Sequence, residues 1–338
     1  MEILYKISDP ALVYISKIEA LIYYINKTID QNIKKKEELQ NLSIEEEILY
    51  IFNLIHLQIS RGDVRKIINT GIAKTKEEWI AKNYFDANQY ILNKNTTTEI
   101  DFYDLQQILR FTQKNLISEI YISRTRNTYE KIKNKEAYDP NFIEYPKIEN
   151  TNNITIETIN YASLKKEIHP VIKSIIIFAI ITSTAPFYAF NFIVGILLFK
   201  LVLHYYQYDL HGTIPTALSI LQIPDLDNFI RKNINSENFV TELINLVSKE
   251  FYNILELRNR TLFASFENKL ENLDLNERQI NLINILRKKV YINRNEYCKL
   301  FKVSPMTAYR DLIYLCDKGI LKSEGNGKST KYSINYES

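Results

Sequence analysis

Residues 169–221 read HPVIKSIIIFAIITSTAPFYAFNFIVGILLFKLVLHYYQYDLHGTIPTALSIL, and this stretch decides the fold. No charged residue occurs from Ser174 to Phe199, and the short break TSTAP divides the apolar run in two. Each half is roughly a dozen residues long and apolar all round, which is common for helices in the core of a large domain. The pattern predicts two buried helices joined by a tight turn.

The layout of this stretch resembles the core of the Fic family. In that family a first helix leads into a loop that reads HPFxDGNGRxGR, and a second helix begins on the loop. Pro186, Phe187, Asn191 and Gly195 stand at matching positions of the motif. The resemblance implies a mainly α fold, a Fic-like helical bundle with a small β-hairpin flap.

The positions that carry the chemistry of the Fic family hold other residues in this chain. In the family the histidine is a general base, the acidic residue holds a magnesium ion, and the glycines and arginines bind ATP phosphates. Alanine, phenylalanine and isoleucine side chains supply no proton acceptor, no metal ligand and no phosphate donor. The resemblance therefore implies a degenerate active site without a cofactor or a metal. The histidine, acidic, glycine and arginine positions are, in that order, Ala185, Ala189, Phe190 and Phe192, and Ile193 and Ile196.

Many Fic proteins also carry an inhibitory helix with the signature Ser/Thr-x-x-x-Glu-Gly, whose glutamate pairs with the second motif arginine. By its distance from the DVRKII segment, the glutamate position falls on or near His56 and the Ser/Thr position on Phe52. The signature is missing there, which agrees with the loss of the arginine at Ile196. We interpret His56 as a structural helix residue packed beside Leu54 and Leu57.

From Leu275 the pattern changes to a compact unit of helices and a short β-ribbon. NERQINLINILRKK and NRNEYCKLFKV predict two helices, and the second opens with a capping box from Asn293 to Glu296. SPMTAYRDLIYLCDKG predicts a third helix, with Ser304 as its N-cap and Gly319 just past its end. Two alternating strands around a Gly-Asn-Gly turn follow. This order of elements predicts a winged helix-turn-helix.

The third helix contains the run Ser-x-x-Thr-Ala-x-Arg-Asp-Leu, which resembles the recognition helix of bacterial DeoR-type regulators. Residues 274–338 hold twelve Lys and Arg against seven Asp and Glu, a net charge of +5, and the rest of the chain has −2. This local basic surplus favours DNA, since cations reach phosphates and the start of a recognition helix meets base edges. The residues predicted to bind DNA are Lys302, Ser304, Thr307, Tyr309, Arg310 and Lys328, with Lys322 and Lys331 as further phosphate contacts.

Winged helices also serve as protein-docking or dimerisation modules, and that alternative stays open for this one. A single module binds DNA weakly, so specific recognition predicts a homodimer through the Fic-like part. Between residues 123 and 160 the helical periodicity lapses, which predicts a polar loop with a short β-hairpin. In the Fic family this region is the flap, which positions a target peptide by strand addition. The resemblance therefore implies a peptide partner at the flap.

The length of 338 residues is enough for two or three units. The predicted regions are an N-terminal helical part of the Fic-like domain at 1–100, a Fic-like core at 101–265 and the winged helix at 274–338. The two cysteines, Cys298 and Cys316, offer neither a disulfide framework nor a metal spacing. His204 and His211, with Asp209 between them, do not match a recognised metal site either. No metal is predicted.

The N-terminus has no signal-peptide pattern, and the cysteine usage fits a cytoplasmic protein. The uncharged run of 26 residues exceeds the ~20 that a bilayer-spanning helix needs. Pro186 and the polar break divide it, however, and Asn191 lies inside, so we favour a protein outside the membrane. A membrane-associated or scaffold protein remains an alternative function.

These observations together predict a catalytically degenerate Fic-like protein that acts as a DNA-binding, transcription-regulator-like protein through its C-terminal winged helix. An alternative from the enzyme class is a Fic-type AMP-transferase with an atypical motif. Such an enzyme would need a replacement base and phosphate ligands between Ala185 and Ile196, and the sequence offers none.

Overall fold

A computed structural model describes residues 5–28, 33–126, 134–143, 145–147, 150–164, 167–271, 273–286, 289, 291–325 and 330–335. The chain divides into two compact units. The larger, here called the helical unit, comprises Met1–Ile22 and Asn32–Leu255. The smaller comprises Tyr23–Gln31 and Glu256–Ser338 and contains the winged helix. Each unit is described by itself.

The helical unit is built from helices of very different lengths. Most are amphipathic, and two are apolar on every side. The helices are α1 (Asp9–Thr28), α2 (Ile33–Leu54), α3 (Arg61–Thr70), α4 (Lys76–Asn93), α5 (Phe102–Gln113), a 3-10 turn (Glu119–Tyr121), α6 (Asn134–Ala137), α7 (Thr151–Leu164), α8 (Pro170–Thr184), α9 (Asn191–Tyr205), α10 (Leu218–Leu221), α11 (Leu226–Asn233) and α12 (Phe239–Glu271), of which α1 and α12 continue into the smaller unit.

Side-chain caps explain where several helices begin. Thr75 caps α4 in a reciprocal capping box with Glu78, and Asp101 caps α5 in the same way with Asp104. Each box satisfies backbone N–H groups that the first turn of a helix would otherwise leave unpaired. His169 caps α8, and Pro170 at the first helical position has no N–H to lose. His169 and Pro170 thus form the beginning of α8.

Helices α8 and α9 form the centre of the helical unit, as the apolar sequence predicts. Almost every residue of both helices is buried, including the polar Ser174, Thr182 and Asn191. The two helices pack closely at Gly195, where an added Cβ would lie 3.2 Å from Phe178 Cδ2 and 3.3 Å from Thr182 Oγ1. Within the described residues, no helix is both long and apolar enough to cross a bilayer.

The smaller unit has the predicted helices and one strand more than predicted. Its elements are α13 (Glu277–Leu286), β1 (Ile292–Asn293), α14 (Arg294–Phe301), α15 (Pro305–Asp317), β2 (Leu321–Glu324) and β3 (Lys331–Ile334). The strands form an antiparallel sheet in the order β1-β3-β2, with Ile292 opposite Tyr332 and Ser323 opposite Tyr332 on its other side. Strand β1 has only two residues, which is too short for an alternating pattern to reveal.

The Asp311 carboxylate joins the three helices of the winged helix. It is nearly buried on α15 and accepts a hydrogen bond from the Tyr297 hydroxyl of α14 at 2.8 Å. It also accepts hydrogen bonds from two side chains of α13, from Arg278 Nε at 3.1 Å and, more weakly, from Gln279 Nε2 at 3.5 Å. Asn276 Nδ2 lies 3.3 Å from the same carboxylate. The aspartate of the DeoR-like run therefore fixes the helix-turn-helix angle rather than facing a partner.

The segment predicted as loop between residues 123 and 160 needs a correction. Its end is helical, since α7 begins at Thr151 and extends to Leu164. Helix α7 escaped detection because TNNITIETINYASL mixes polar and β-branched residues on all faces and shows no apolar stripe. Thr125 forms an isolated antiparallel bridge with Phe187. The predicted flap hairpin falls partly on residues 127–133, 144 and 148–149, outside the described residues.

Candidate functional site

The loop between α8 and α9 holds the motif-like positions, and its backbone takes two sharp bends. Ala185 ends α8 and Phe190 precedes α9, both with left-handed φ angles, +41° and +67°. Such a φ costs a residue other than glycine roughly 1–2 kcal/mol. The Phe190 ring is buried and stacks on Tyr138 with ring centroids 4.8 Å apart. Burial of the ring thus offsets the strain at a position where the motif has glycine.

Asn191 keeps the position of the motif asparagine and fastens the loop. Its Oδ1 accepts from the Phe187 N–H at 2.8 Å, and its Nδ2 donates to the Phe187 carbonyl at 2.9 Å. The second Nδ2 hydrogen points to the Asp139 carboxylate at 3.0 Å. The side chain is fully buried, so its hydrogen bonds are directed at the protein alone.

The Asp139 carboxylate lies at the N-terminus of α9. Its Oδ1 accepts from the Phe192 N–H at 2.9 Å, and its Oδ2 accepts from Asn191 and from the Tyr145 hydroxyl. A helix N-terminus attracts anions because its first N–H groups lack helical partners and its dipole is positive there. In this chain the anion is a side chain of the protein. The Asp139 carboxyl group therefore occupies the position at which a phosphate would meet the N-terminus of α9.

Burial decides the protonation behaviour of this carboxylate and its partner. Burial raises the pKa of Asp139 above its ordinary value, although the hydrogen bonds from Tyr145, Phe192 and Asn191 act in the opposite direction. Burial also raises the pKa of the Tyr145 hydroxyl, and the neighbouring Asp139 charge adds to that effect. Tyr145 therefore stays a hydrogen-bond donor.

Arg126 is a buried cation that binds the end of α8. Its Nε donates to the Ala185 carbonyl at 2.5 Å, and its Nη2 donates to the Pro146 carbonyl at 2.5 Å and the Thr184 carbonyl at 3.2 Å. Burial lowers the pKa of this guanidinium. A cation at the carbonyl end of a helix complements the helix dipole. All these acceptors are backbone carbonyls, so the hydrogen bonds of Arg126 stabilise the backbone at the end of α8.

Apolar side chains fill the rest of the motif region. Phe192 makes edge-to-face contacts with Phe178 and Phe142, with centroids 5.6 and 6.0 Å apart. The positions of the motif histidine, acidic residue and both arginines are fully buried as well, and they are Ala185, Ala189, Ile193 and Ile196. These side chains offer a nucleotide neither a hydrogen bond nor a positive charge.

A buried ion pair lies one helical turn beyond the second arginine position, and sequence reasoning missed it. Lys200 of α9 pairs with Glu47 of α2. Glu47 also accepts from the Tyr84 hydroxyl at 2.9 Å and from the Ala217 N–H at 3.1 Å. The spacing from Ser43 to Glu47 is Ser-x-x-x-Glu, followed by an isoleucine in place of glycine. That spacing was the signal that could have located this glutamate.

The two inhibitory-helix positions inferred from the sequence lie at the end of α2 and just beyond it. Phe52 is buried near the end of α2. His56 lies beyond that helix, exposed and with a φ of +56°, and is not the packed helix residue that we expected. A left-handed residue just past a helix end commonly stops the helix, and histidine tolerates this φ better than bulky residues do.

The winged helix presents the start of α15 to solvent. Met306 is 61% and Tyr309 41% exposed, and Arg310 is exposed beside them. Ser304 caps the helix by accepting from the Thr307 N–H at 3.2 Å, and the two hydroxyls lie 3.0 Å apart. The polar, cationic and aromatic side chains that the sequence singled out here thus lie on one helix end.

The remaining predicted DNA contacts are spread around this end. Lys302 is exposed at the end of α14, where its left-handed φ of +52° turns the chain into the recognition helix. Lys322 of β2 is partly buried, and Lys331 of β3 is exposed. Lys328 lies outside the described residues.

No metal centre is evident in the described part of the chain, where no group of three or more His, Cys, Asp or Glu side chains is placed to hold an ion. His204 Nδ1 instead pairs with Asp209 Oδ2 at 2.7 Å, in a buried position. The two cysteines are free. Burial raises the pKa of Cys316 to about 11, and the neighbouring Asp317 adds to that shift.

Comparison with known proteins agrees with this geometry. A family model described as a DeoR-like helix-turn-helix domain matches residues 278–329. A Fic family protein from Desulfovibrio desulfuricans has a similar structure, with a TM-score of 0.59 and 12% identity, over 99% of this chain and 98% of its own. No curated protein matches the chain in sequence.

Two further solved structures are similar over most of the chain. Fic-1 from C. elegans gives a TM-score of 0.54 at 14% identity, covering 75% of this chain and 73% of that one. A Fic domain containing signaling protein from Bacteroides thetaiotaomicron gives 0.51 at 14% identity, covering 72% and 94%. The chain thus combines the fold of Fic family proteins with a DeoR-like helix-turn-helix domain.

Proposed function

We propose that this chain is a DNA-binding protein of Fic fold that has lost nucleotidyl transfer. The observation that carries the first half is the exposed start of α15 within a DeoR-like domain, where Tyr309 and Arg310 are accessible. Side chains at this place of a recognition helix reach base edges in the major groove. We assign base contacts to Thr307, Tyr309 and Arg310, and phosphate contacts to Lys302 and Lys328.

The loss of catalysis is inferred from the filled motif region. The Asp139 carboxyl group accepts from the Phe192 N–H, so an ATP phosphate would find this donor at the helix terminus already paired. The motif histidine is replaced by the buried Ala185, so no general base stands there for a substrate hydroxyl. An AMP-transferase with an atypical motif would need both functions from other side chains. We find no such side chain among the described residues of the α8–α9 loop.

Incubation with labelled ATP and magnesium tests this half of the proposal. The purified chain should carry no protein-bound label and should transfer none to a partner. Ala185→His alone should not restore transfer, because the anion position and both arginine positions remain filled. Labelling that disappears in a variant of Asn191 or Pro186 would contradict the proposal, since it would place a reaction at this loop.

Titration of DNA fragments from the source genome at several salt concentrations tests the DNA half. Wild type should bind, and the logarithm of its affinity should fall linearly with the logarithm of salt concentration. Arg310→Ala should cost about 1–3 kcal/mol on the preferred site, and Lys328→Ala should weaken all sequences alike. Absence of salt-dependent binding to any fragment would favour the protein-docking alternative for the winged helix.

We further propose a homodimer through the helical unit and a cytoplasmic location. Two copies would present two recognition helices to a palindromic site. Light scattering of the purified chain tests the dimer, and a monomer at micromolar concentration, with and without DNA, would contradict it. Fractionation of cells tests the location and separates the membrane-associated alternative from the others.

A peptide partner is proposed for the flap region. A cavity of about 440 Å³ lies beside the Thr125–Phe187 bridge and includes Phe102, Arg124 and Ile156 in its lining. Its lining is half apolar and half polar, and Arg124 is an exposed cation, which fits a peptide that has apolar residues, hydrogen-bonding groups and an acidic group. Panning of a peptide library against wild type and Ile156→Asp tests this partner, and equal enrichment by both proteins would contradict it.

A further inference from the structure

The first residue of α14, Arg294, lies against the recognition helix. Its guanidinium carbon is 5.0 Å from the centroid of the Tyr309 ring, which is 41% exposed at the start of α15. Sequence reasoning did not single out Arg294, because it precedes the recognition helix by more than ten residues. The packing of α14 on α15 brings the two side chains together.

Arg294 retains its capacity to bind an anion. Among the described residues no carboxylate lies within ion-pair distance of it, and Glu296, the nearest acidic residue along the chain, pairs with Lys289 at 3.1 Å. Contact with the face of an aromatic ring orients a guanidinium without consuming its N–H donors, which lie in its plane. A planar pair of donors held in this way matches two oxygens of a phosphate.

A second pair of the same kind lies on the wing side of Arg294. Lys331 of β3 faces Asn293 in the sheet register, and its Nζ is 4.4 Å from the centroid of the Tyr291 ring. Two cations, each oriented by a tyrosine, thus flank the N-cap of α14. Together they extend the basic surface from the recognition helix towards the wing.

We infer that Arg294 binds a phosphate of the DNA backbone and that Tyr309 acts as its positioning residue. This inference rests on the proposed function, because it concerns the same DNA-binding surface. It also changes the role of Tyr309, whose ring holds Arg294 in addition to facing the groove. The ligand is a phosphodiester, so the contact is independent of base sequence and can be measured before any specific site is known.

Binding of the full-length chain to random-sequence duplex DNA, followed by fluorescence anisotropy, tests the inference. Arg294→Ala should lower the affinity about tenfold at low salt, the size expected of one charge-assisted hydrogen bond. It should also reduce the slope of log affinity against log salt by roughly one. Arg294→Lys keeps the charge but lacks the planar fork, so the slope should persist while the affinity falls.

Variants of Tyr309 separate positioning from a general structural role. Tyr309→Phe keeps the ring and should retain the affinity of wild type within about twofold, because the cation faces the ring rather than the hydroxyl. Tyr309→Leu should weaken random-sequence binding. The double variant with Arg294→Ala should bind no more weakly than Arg294→Ala alone, because Tyr309 acts on the backbone contact through Arg294.

Lys318, the residue that caps the C-terminus of the same helix, provides a matched control. Its Nζ lies 5.8 Å from the centroid of the Tyr314 ring, a cation and aromatic pair at the far end of α15. Lys318→Ala should leave the affinity and the salt slope unchanged. If wild type binds and Arg294→Ala binds equally well, or if Lys318→Ala loses as much, the inference is wrong while the proposed function stands. If wild type does not bind DNA at all, both are wrong.

Discussion

Asp311→Ala should unfold the winged helix selectively, because one carboxylate connects its three helices. The substitution leaves the fully buried Tyr297 hydroxyl without its acceptor at 2.8 Å, at a cost of about 1–3 kcal/mol. The ion pair with Arg278 adds little, since that side chain is 40% exposed and its charge is screened by solvent. Loss of the weaker contacts with Asn276 and Gln279 brings the expected total to about 3 kcal/mol. A module of this size has a stability of only about 3–5 kcal/mol.

The chain carries natural probes that separate the two units. Trp79 is the one tryptophan and lies on α4 in the helical unit, whereas both cysteines lie in the winged helix. Urea unfolding followed by tryptophan fluorescence therefore reports the helical unit, and thiol labelling reports the winged helix. Asp311→Ala should shift the labelling transition to much lower urea and leave the fluorescence transition in place.

Two companion variants make the result decisive. Tyr297→Phe removes the hydroxyl that Asp311→Ala would leave without an acceptor, so the double variant should lose clearly less than the two single losses together. Asp317→Asn removes an exposed carboxylate from the end of the same helix and should change the stability by less than about 0.5 kcal/mol. If Asp311→Ala costs no more than Asp317→Asn, or if both transitions shift equally, the connecting role of Asp311 is refuted.

Three further predictions concern the remaining packed sites. Gly195→Ala should destabilise the helical unit by about 1 kcal/mol because Phe178 Cδ2 lies only 3.2 Å from the new Cβ. Gly62→Ala on α3 should stabilise it, because the new Cβ would meet only Ser60 Oγ, at an ordinary contact distance of 3.7 Å. Tryptophan-detected unfolding that shifts the same way in both variants would contradict this. Asp139→Ala should lower the free energy of unfolding by about 3 kcal/mol or more in the same assay, because it leaves buried donors without an acceptor. A loss of stability below about 1 kcal/mol would contradict the role of this carboxylate. Burial raises the pKa of Cys316 to about 11, so the thiol should be alkylated about a hundredfold more slowly at pH 8 in the native chain than in urea. The contribution of the protonated thiol to stability should be lost only as the pH rises from 9 to 11. Equal alkylation rates in the two states would contradict the burial of this thiol.

Local signals located the helices and caps well. The capping box from Asn293 to Glu296 and the Ser304 N-cap are both observed where the sequence places them, because a cap depends on residues three positions apart. The two apolar core helices are likewise evident from composition alone. Such features need no knowledge of distant parts of the chain.

Contacts between residues far apart in the chain could not be predicted from the sequence. Asp139 meets the start of α9 from more than fifty residues away, and it lies in an aperiodic segment that gives no reason to prefer one carboxylate over another. The ion pair between Glu47 and Lys200 joins residues that are even further apart in the sequence. The partners of Arg294 and Asp311 likewise follow from how helices pack, which periodicity does not specify.

Genome-wide mapping of the sites occupied by the full-length chain in its own cells tests the central claim most directly. The account predicts discrete enriched sites that share a sequence and that are lost when Arg310→Ala replaces wild type at equal abundance. Lys318→Ala, at the far end of the same helix, should retain them. Absence of enriched sites for wild type, or an unchanged set of sites with Arg310→Ala, would contradict DNA recognition by this winged helix.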